Sequence, residues 1–176
     1  MLEVLDASDA RARLATGWLP QSKLEWAVEG ISILALGFGV FTLLQAWPDL
    51  PARVPRHFDF AGKPDAWGAK VNLWVLPFVG VAIYLMLTVV GRLPHSHNFP
   101  VTVTPWNAAR LYRLSRMMVV WLKAQISCTL GYIAWAQVRV ALGNAQGLGW
   151  AFLPVTLFTI GITIFLYWRR FYREQG

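Results

Sequence analysis

The chain is poor in charge, in acid and in cysteine. Only 14% of its 176 residues are Asp, Glu, Lys or Arg, against about 25% in an ordinary soluble domain. Acidic residues number nine against sixteen basic ones, for a net charge of +7. Cys128 is the single cysteine, so no intrachain disulfide is possible and cysteine usage says nothing about redox compartment. No G-x-x-x-x-G-K, H-E-x-x-H, C-x-x-C or G-x-S-x-G pattern occurs, so none of the chemistries those motifs serve is indicated. No second pair of spans repeats the first at residue level, and an inverted-repeat transporter is not inferred.

Apolar side chains are abundant instead. They make up 56% of the chain, with ten tryptophans among them. A soluble domain of this size has too much surface for its volume to hide that fraction, whereas lipid accepts it. Four apolar stretches, about 26–47, 71–91, 117–138 and 148–168, are of the length that covers roughly 30 Å of hydrocarbon at 1.5 Å per residue. None carries the wide polar stripe that a helix of a soluble bundle turns to water. The expected fold class is all-α: a four-helix transmembrane bundle with cytoplasmic N and C termini and a proline-rich outer loop. Residues 1–21 are expected to be a cytoplasmic lead and 22–176 the four-span membrane domain. The lead contains Glu3, Asp6 and Asp9 and has no apolar core behind a basic start, so it does not read as a signal peptide.

Sidedness follows from lysine and arginine. The N-terminal segment (Arg11, Arg13, Lys23), the 91–116 connection (Arg92, Arg110, Arg113, Arg116) and the tail (Arg169, Arg170, Arg173) hold ten; the other side holds five, Arg53, Arg56, Lys63, Lys70 and Arg139. Both ends are therefore expected inside. Trp26, Trp47, Trp74, Trp150 and Trp168 fall near span ends, where amphipathic rings sit well at headgroup level.

Local signals sharpen the boundaries. Ser22 and Glu25 form an S-x-x-E capping box after Pro20. Thr104 before Pro105 reads as the start of a third helix running to about residue 138. Its first turns carry Arg110, Arg113 and Arg116, expected to meet anionic lipid headgroups. Pro77 is expected to kink the second span, and Gly37, Gly39 and Gly80 to mark close helix contacts. Cys128, deep in a span, is expected to be a small packing residue.

Within the hydrocarbon two charges stand out. Lys123 lies six residues inside the third span and Glu29 enters the first at a comparable depth. Charge in a span is costly and normally faces protein, water or a partner charge. An interhelical Glu29–Lys123 pair is one reading; snorkelling of the lysine to the headgroups is the other. Lys123, Ser127, Gly131 and Ala134 share one helix face, whose small residues admit a close neighbour.

The 48–70 loop, PDLPARVPRHFDFAGKPDAWGAK, has four prolines and two glycines. It reads as a shaped, largely non-helical segment, long enough to suggest a role of its own. Arg56, His57, Asp59, Gly62, Lys63, Asp65, Trp67 and Lys70 are its candidate recognition or cap residues, and sequence alone leaves cap and binding surface both open. His57 with Asp59, and His95 with His97, supply too few ligands for a metal site, and no metal or other cofactor is expected.

This loop resembles a widespread bacterial membrane domain of undetermined function. The same domain occurs in the immunity protein that protects sporulating bacilli against their own sporulation-delaying toxin. The likeness rests on a proline-rich lead (Pro51, Pro55), a histidine (His57), then Gly62, Pro64, Asp65, Trp67 and Lys70 at fixed spacing; Asp59 stands where the family often has asparagine. The resemblance implies a multi-pass protein of the bacterial inner membrane without a known activity. The immunity protein is larger, with more spans. Together these readings describe a non-enzymatic membrane protein, either immunity- or sensor-like or an accessory subunit of a larger membrane complex. Its partners would be membrane lipids and a protein or peptide at the outer loop, and no nucleic acid. A small oligomeric transporter or channel component, using Glu29 and Lys123, is the alternative.

Overall fold

The computed structural model describes residues 21–93, 97–104 and 106–174. The expected N-terminal lead, with Arg11 and Arg13, lies outside the described residues apart from its last position, and so do His95 and Pro105. Four helices carry the fold: α1 (Lys23–Ala46), α2 (Val75–Val90), α3 (Ala108–Ala141) and α4 (Phe152–Arg173). Each belongs to a segment long and apolar enough to cross a bilayer. In hydrocarbon a backbone must satisfy its own hydrogen bonds, and a helix does so within one segment.

The bundle turns its apolar side chains outward. Leu34, Phe78 and Phe158 are each more than 70% exposed. Only 11% of the most apolar window of the second and the fourth segment is buried within the protein. In water such a surface would drive association; in a bilayer it is the ordinary solvent face. The chain is a multi-pass membrane protein.

The long third helix is the axis of the bundle. α3 packs on α1, α2 and α4, and also on the 48–70 loop. Its contact with α1 is the most extensive, because glycine lets the backbones meet. A Cβ on Gly131 would stand 2.3 Å from the Ala35 carbonyl oxygen, and one on Gly39 would stand 3.3 Å from the Gly131 Cα. Gly80 of α2 is similarly crowded by Leu36. Gly37 faces open space, so its expected role as a packing glycine is not met.

Boundaries follow the local chemistry, with shifts. The Ser22–Glu25 capping box forms, with Glu25 N–H donating to the Ser22 hydroxyl at 3.2 Å and Ser22 N–H to the Glu25 carboxylate at 2.5 Å. The second segment opens with a 3-10 turn (Lys70–Trp74) before α2 begins. Pro77 is therefore the third residue of α2, where its missing N–H removes no intrahelical bond, and the kink expected near this end of the span has no cause there. α3 starts at Ala108, three residues later than Thr104–Pro105 implied. Thr104 and Asn107 instead exchange side-chain bonds with each other's N–H and close the turn before the helix.

The 48–70 loop, expected on the outer side, is a β-hairpin, the one departure among the described residues from an all-α chain. β1 (Arg53–Phe58) pairs antiparallel with β2 (Pro64–Ala69), Arg53 opposite Ala69 and Phe58 opposite Pro64, with the register broken around Arg56. Asp59 makes the turn: its N–H donates to the Lys63 carbonyl at 2.8 Å and its carboxylate accepts the Lys63 N–H at 2.8 Å. Gly62, at φ +74°, takes the left-handed position that side chains resist.

Candidate functional site

Two polar constellations lie at opposite ends of the α1–α3 contact. The first is inside the helical bundle. Glu25 and Glu29 are four apart on α1; Arg116 and Lys123 are seven apart on α3. Both spacings return to one helix face, so the two faces meet as two rungs. Arg116 Nε donates to Glu25 Oε1 at 2.6 Å and Nη2 to Oε2 at 3.1 Å. Lys123 Nζ donates to Glu29 Oε1 at 2.5 Å. α2 completes the lower rung. Tyr84 donates its hydroxyl to Glu29 Oε2 at 2.9 Å, and Lys123 gives a further bond to Thr88 at 2.9 Å while its Nζ lies 4.5 Å from the Tyr84 ring centroid.

These positions decide between the readings of Lys123. It is 2% exposed, which excludes snorkelling and leaves the interhelical pair. Arg116 departs from expectation: it is buried against Glu25 rather than turned to headgroups, because the α1 capping glutamate meets it. Arg110 and Arg113 remain on the exposed side of α3. Arg110 lies 3.4 Å from Glu174, and Arg113 donates to the Ala109 carbonyl. Tyr84, Thr88 and the Arg116–Glu25 rung were missed in the sequence, although the seven-residue step from Arg116 to Lys123 was available as a signal.

Neighbouring polar groups hold helices together. Gln125 donates to Thr163 Oγ1 at 2.7 Å and to the Thr159 carbonyl, joining α3 to α4. His97 bridges Ser115 and the Val90 carbonyl and stacks on Tyr112, so both ring nitrogens are occupied. Cys128 is exposed and lines the groove between α1 and α4 rather than being packed in the core as expected. Among the described residues no three His, Cys, Asp or Glu side chains converge as a metal site requires.

The second constellation is the hairpin. His57 Nδ1 and Asp65 Oδ1 are 2.6 Å apart across the strands, both exposed. The charged candidates of this loop do not gather in one cluster. Asp59 and Lys63 shape the turn. Lys70, at the other end, donates to the Trp47 carbonyl at 3.0 Å and lies over the Trp47 ring. Trp67 stands opposite Pro55 and is 43% exposed.

The hairpin is fastened to the helix ends. Val54 is fully buried in a cluster with Leu43, Leu73 and Val138. Gln137 of α3 donates its Nε2 to the Pro55 carbonyl at 3.2 Å. At the tip, Leu148 N–H donates to the Gly62 carbonyl at 2.7 Å, and Gly147 sits so close that a Cβ there would be 2.0 Å from that carbonyl oxygen. Between Arg56, His57 and Phe58 above and Ile133, Gln137 and Phe152 below lies a chamber of about 460 Å³. That volume is in the range of small-molecule sites.

Comparison with known proteins bears on this second constellation. Residues 33–81 match a domain of unknown function (DUF1648). The matched stretch takes in the C-terminal half of α1, the whole hairpin and the start of α2, and it stops before α3. An uncharacterized protein of Archaeoglobus fulgidus is 33% identical over 84 residues, covering 40% of this chain and 46% of that protein. The chain thus spans about half the length of that relative. No solved structure matches the chain.

Proposed function

We propose that this chain is a non-enzymatic recognition module of the bacterial cytoplasmic membrane, with both termini inside and the hairpin outside. The 48–70 segment would take a protein, peptide or lipid headgroup, in an immunity- or sensor-like role or as an accessory subunit of a larger membrane complex. The observation that carries this reading is the fastening of the hairpin. Its exposed His57–Asp65 pair sits on a two-stranded platform joined to α3 through Gln137 and to the α3–α4 connection through Gly62. A ligand held there acts directly on the axial helix. The matched domain, which contains the whole hairpin, is consistent with this emphasis.

The ion-paired rungs serve the same reading as a clamp. Glu29 and Lys123 are 7% and 2% exposed and satisfied by each other, Tyr84 and Thr88. Neither the chamber under the hairpin nor the groove between α1 and α4 is lined by either residue, which weighs against a transport path through them. The test is purification from native membranes in mild detergent. Replacing His57 and Asp65 by alanine is expected to lower partner recovery several-fold while membrane insertion is unchanged. Equal recovery from both forms would remove the recognition role.

A further inference from the structure

At the end of the bundle away from the hairpin, the start of α3 and the end of α4 leave a cleft of about 620 Å³. One side chain sets its floor. Asn107 Nδ2 donates to the Thr102 carbonyl at 3.1 Å and to the Glu174 carbonyl at 3.2 Å, while Asn107 Oδ1 accepts the Thr104 N–H at 2.8 Å. The amide thus ties the approach to α3 to the last turn of α4. Trp106 and Arg110 line the cleft from one side, Arg173 and Glu174 from the other. Both arginines are exposed, and Trp106 is 90% exposed. Glu174 is the one acid in the lining. It meets Arg110 only through Nη1, at 3.4 Å, which leaves the Nε–Nη2 edge of that guanidinium for a bidentate contact. Arg173 has no carboxylate partner among the described residues. The lining is therefore net positive, and Arg113, Arg169 and Arg170 add charge at the same end. Glu25, on the neighbouring helix, is already closed by Arg116.

Depth in the membrane restricts what this charge can meet. Arg173 stands five residues beyond Trp168, and Arg110 seven before the apolar run that opens at Met117. At 1.5 Å per residue both lie roughly 7–10 Å outside the hydrocarbon. The headgroup layer is about 5–8 Å deep on each side, and arginine stems are long enough to reach back into it. An indole at that level turns its ring toward the glycerol backbone and its N–H toward polar atoms. A small soluble anion would leave Trp106 without a contact, and a zwitterionic headgroup would bring its own cation against the second arginine. We propose that this cleft binds the headgroup of an anionic phospholipid, with Arg110 and Arg173 on the phosphate and Trp106 against the glycerol backbone. The site needs only that the helices span a membrane, so it stands apart from the hairpin's role.

Native mass spectrometry tests it. The full chain is released from nanodiscs of equal parts phosphatidylglycerol and phosphatidylcholine with the same acyl chains, and the retained lipid is identified. Phosphatidylglycerol is expected to be enriched. Arg110→Gln and Arg173→Gln should each lower the enrichment about fivefold, the equivalent of about 1 kcal/mol, and Trp106→Ala, at a 90% exposed position, should lower it without disturbing the fold. Arg169→Gln removes the same charge from the same end outside the cleft and should leave the enrichment unchanged. Equal retention of the two lipids overturns the site. An equal loss with Arg169→Gln overturns it in favour of diffuse surface charge. Displacement of the retained lipid by soluble glycerol 3-phosphate overturns the lipid assignment in favour of a free phosphate compound. None of these outcomes touches partner recovery with the His57 and Asp65 variants, which reads the hairpin separately.

Discussion

The two ends of α3 treat buried polar groups in opposite ways. Around residues 116–123 the helix carries full charges, and α1 and α2 answer them with carboxylates and hydroxyls until the region is closed. Around residue 137 it carries a neutral amide whose nitrogen donates to the hairpin's Pro55 carbonyl and whose oxygen has no donor among the described residues. A charge inside a bilayer must be neutralised locally or it destabilises the bundle. A neutral amide tolerates a missing partner at modest cost. Strong interactions therefore suit the end where three helices meet, and weaker ones suffice at the end capped by the hairpin.

The largest effect should come from unbalancing the closed end. Lys123→Met leaves the Glu29 carboxylate with Tyr84 alone and is expected to cost about 3–5 kcal/mol, read as unfolding in mixed micelles. Adding Glu29→Leu should recover most of that loss. A single-variant cost below 1 kcal/mol would dissolve the distinction between the two ends. Gly131→Ala drives a methyl toward the Ala35 carbonyl and should cost about 1–3 kcal/mol, while Gly37→Ala, facing open space, should change little.

At the open end the effects are smaller and local. Gly147→Ala pushes against the Gly62 carbonyl. It should raise hydrogen exchange across residues 53–69 while α1–α3 protection stays intact; loss of protection throughout would show that hairpin and bundle fold as one unit. The smallest effect belongs to His57→Ala. Its pair is exposed, and such pairs contribute about 0–1 kcal/mol, so melting should barely move even where partner recovery falls.

The same contrast explains what could be read from the sequence. Four spans stand out because hydrocarbon enforces long uncharged runs, and Glu29 with Lys123 stand out because charge is rare within them. The Ser22–Glu25 box is visible because its partners are three residues apart. Arg116 was misjudged because an arginine near a span end has two good solutions, lipid headgroup and protein carboxylate, and only the position of α1 chooses between them. The hairpin was hidden by its prolines and by a register irregular at Arg56, which erase the alternation that announces strands. The Gly62–Gly147 contact and the Gln137–Pro55 hydrogen bond join segments far apart in the chain, and no local pattern encodes either.

The axial helix has 34 residues and is about 50 Å long. It contains no proline, and its one glycine, Gly131, is pressed against Ala35, so it has no site at which to bend. A displacement imposed at Gln137 therefore reaches Arg116 as a tilt of a stiff lever whose fulcrum is the Gly131 crossing. The two arms would move in opposite senses, so a push at the hairpin end would be felt at the Glu25 cap.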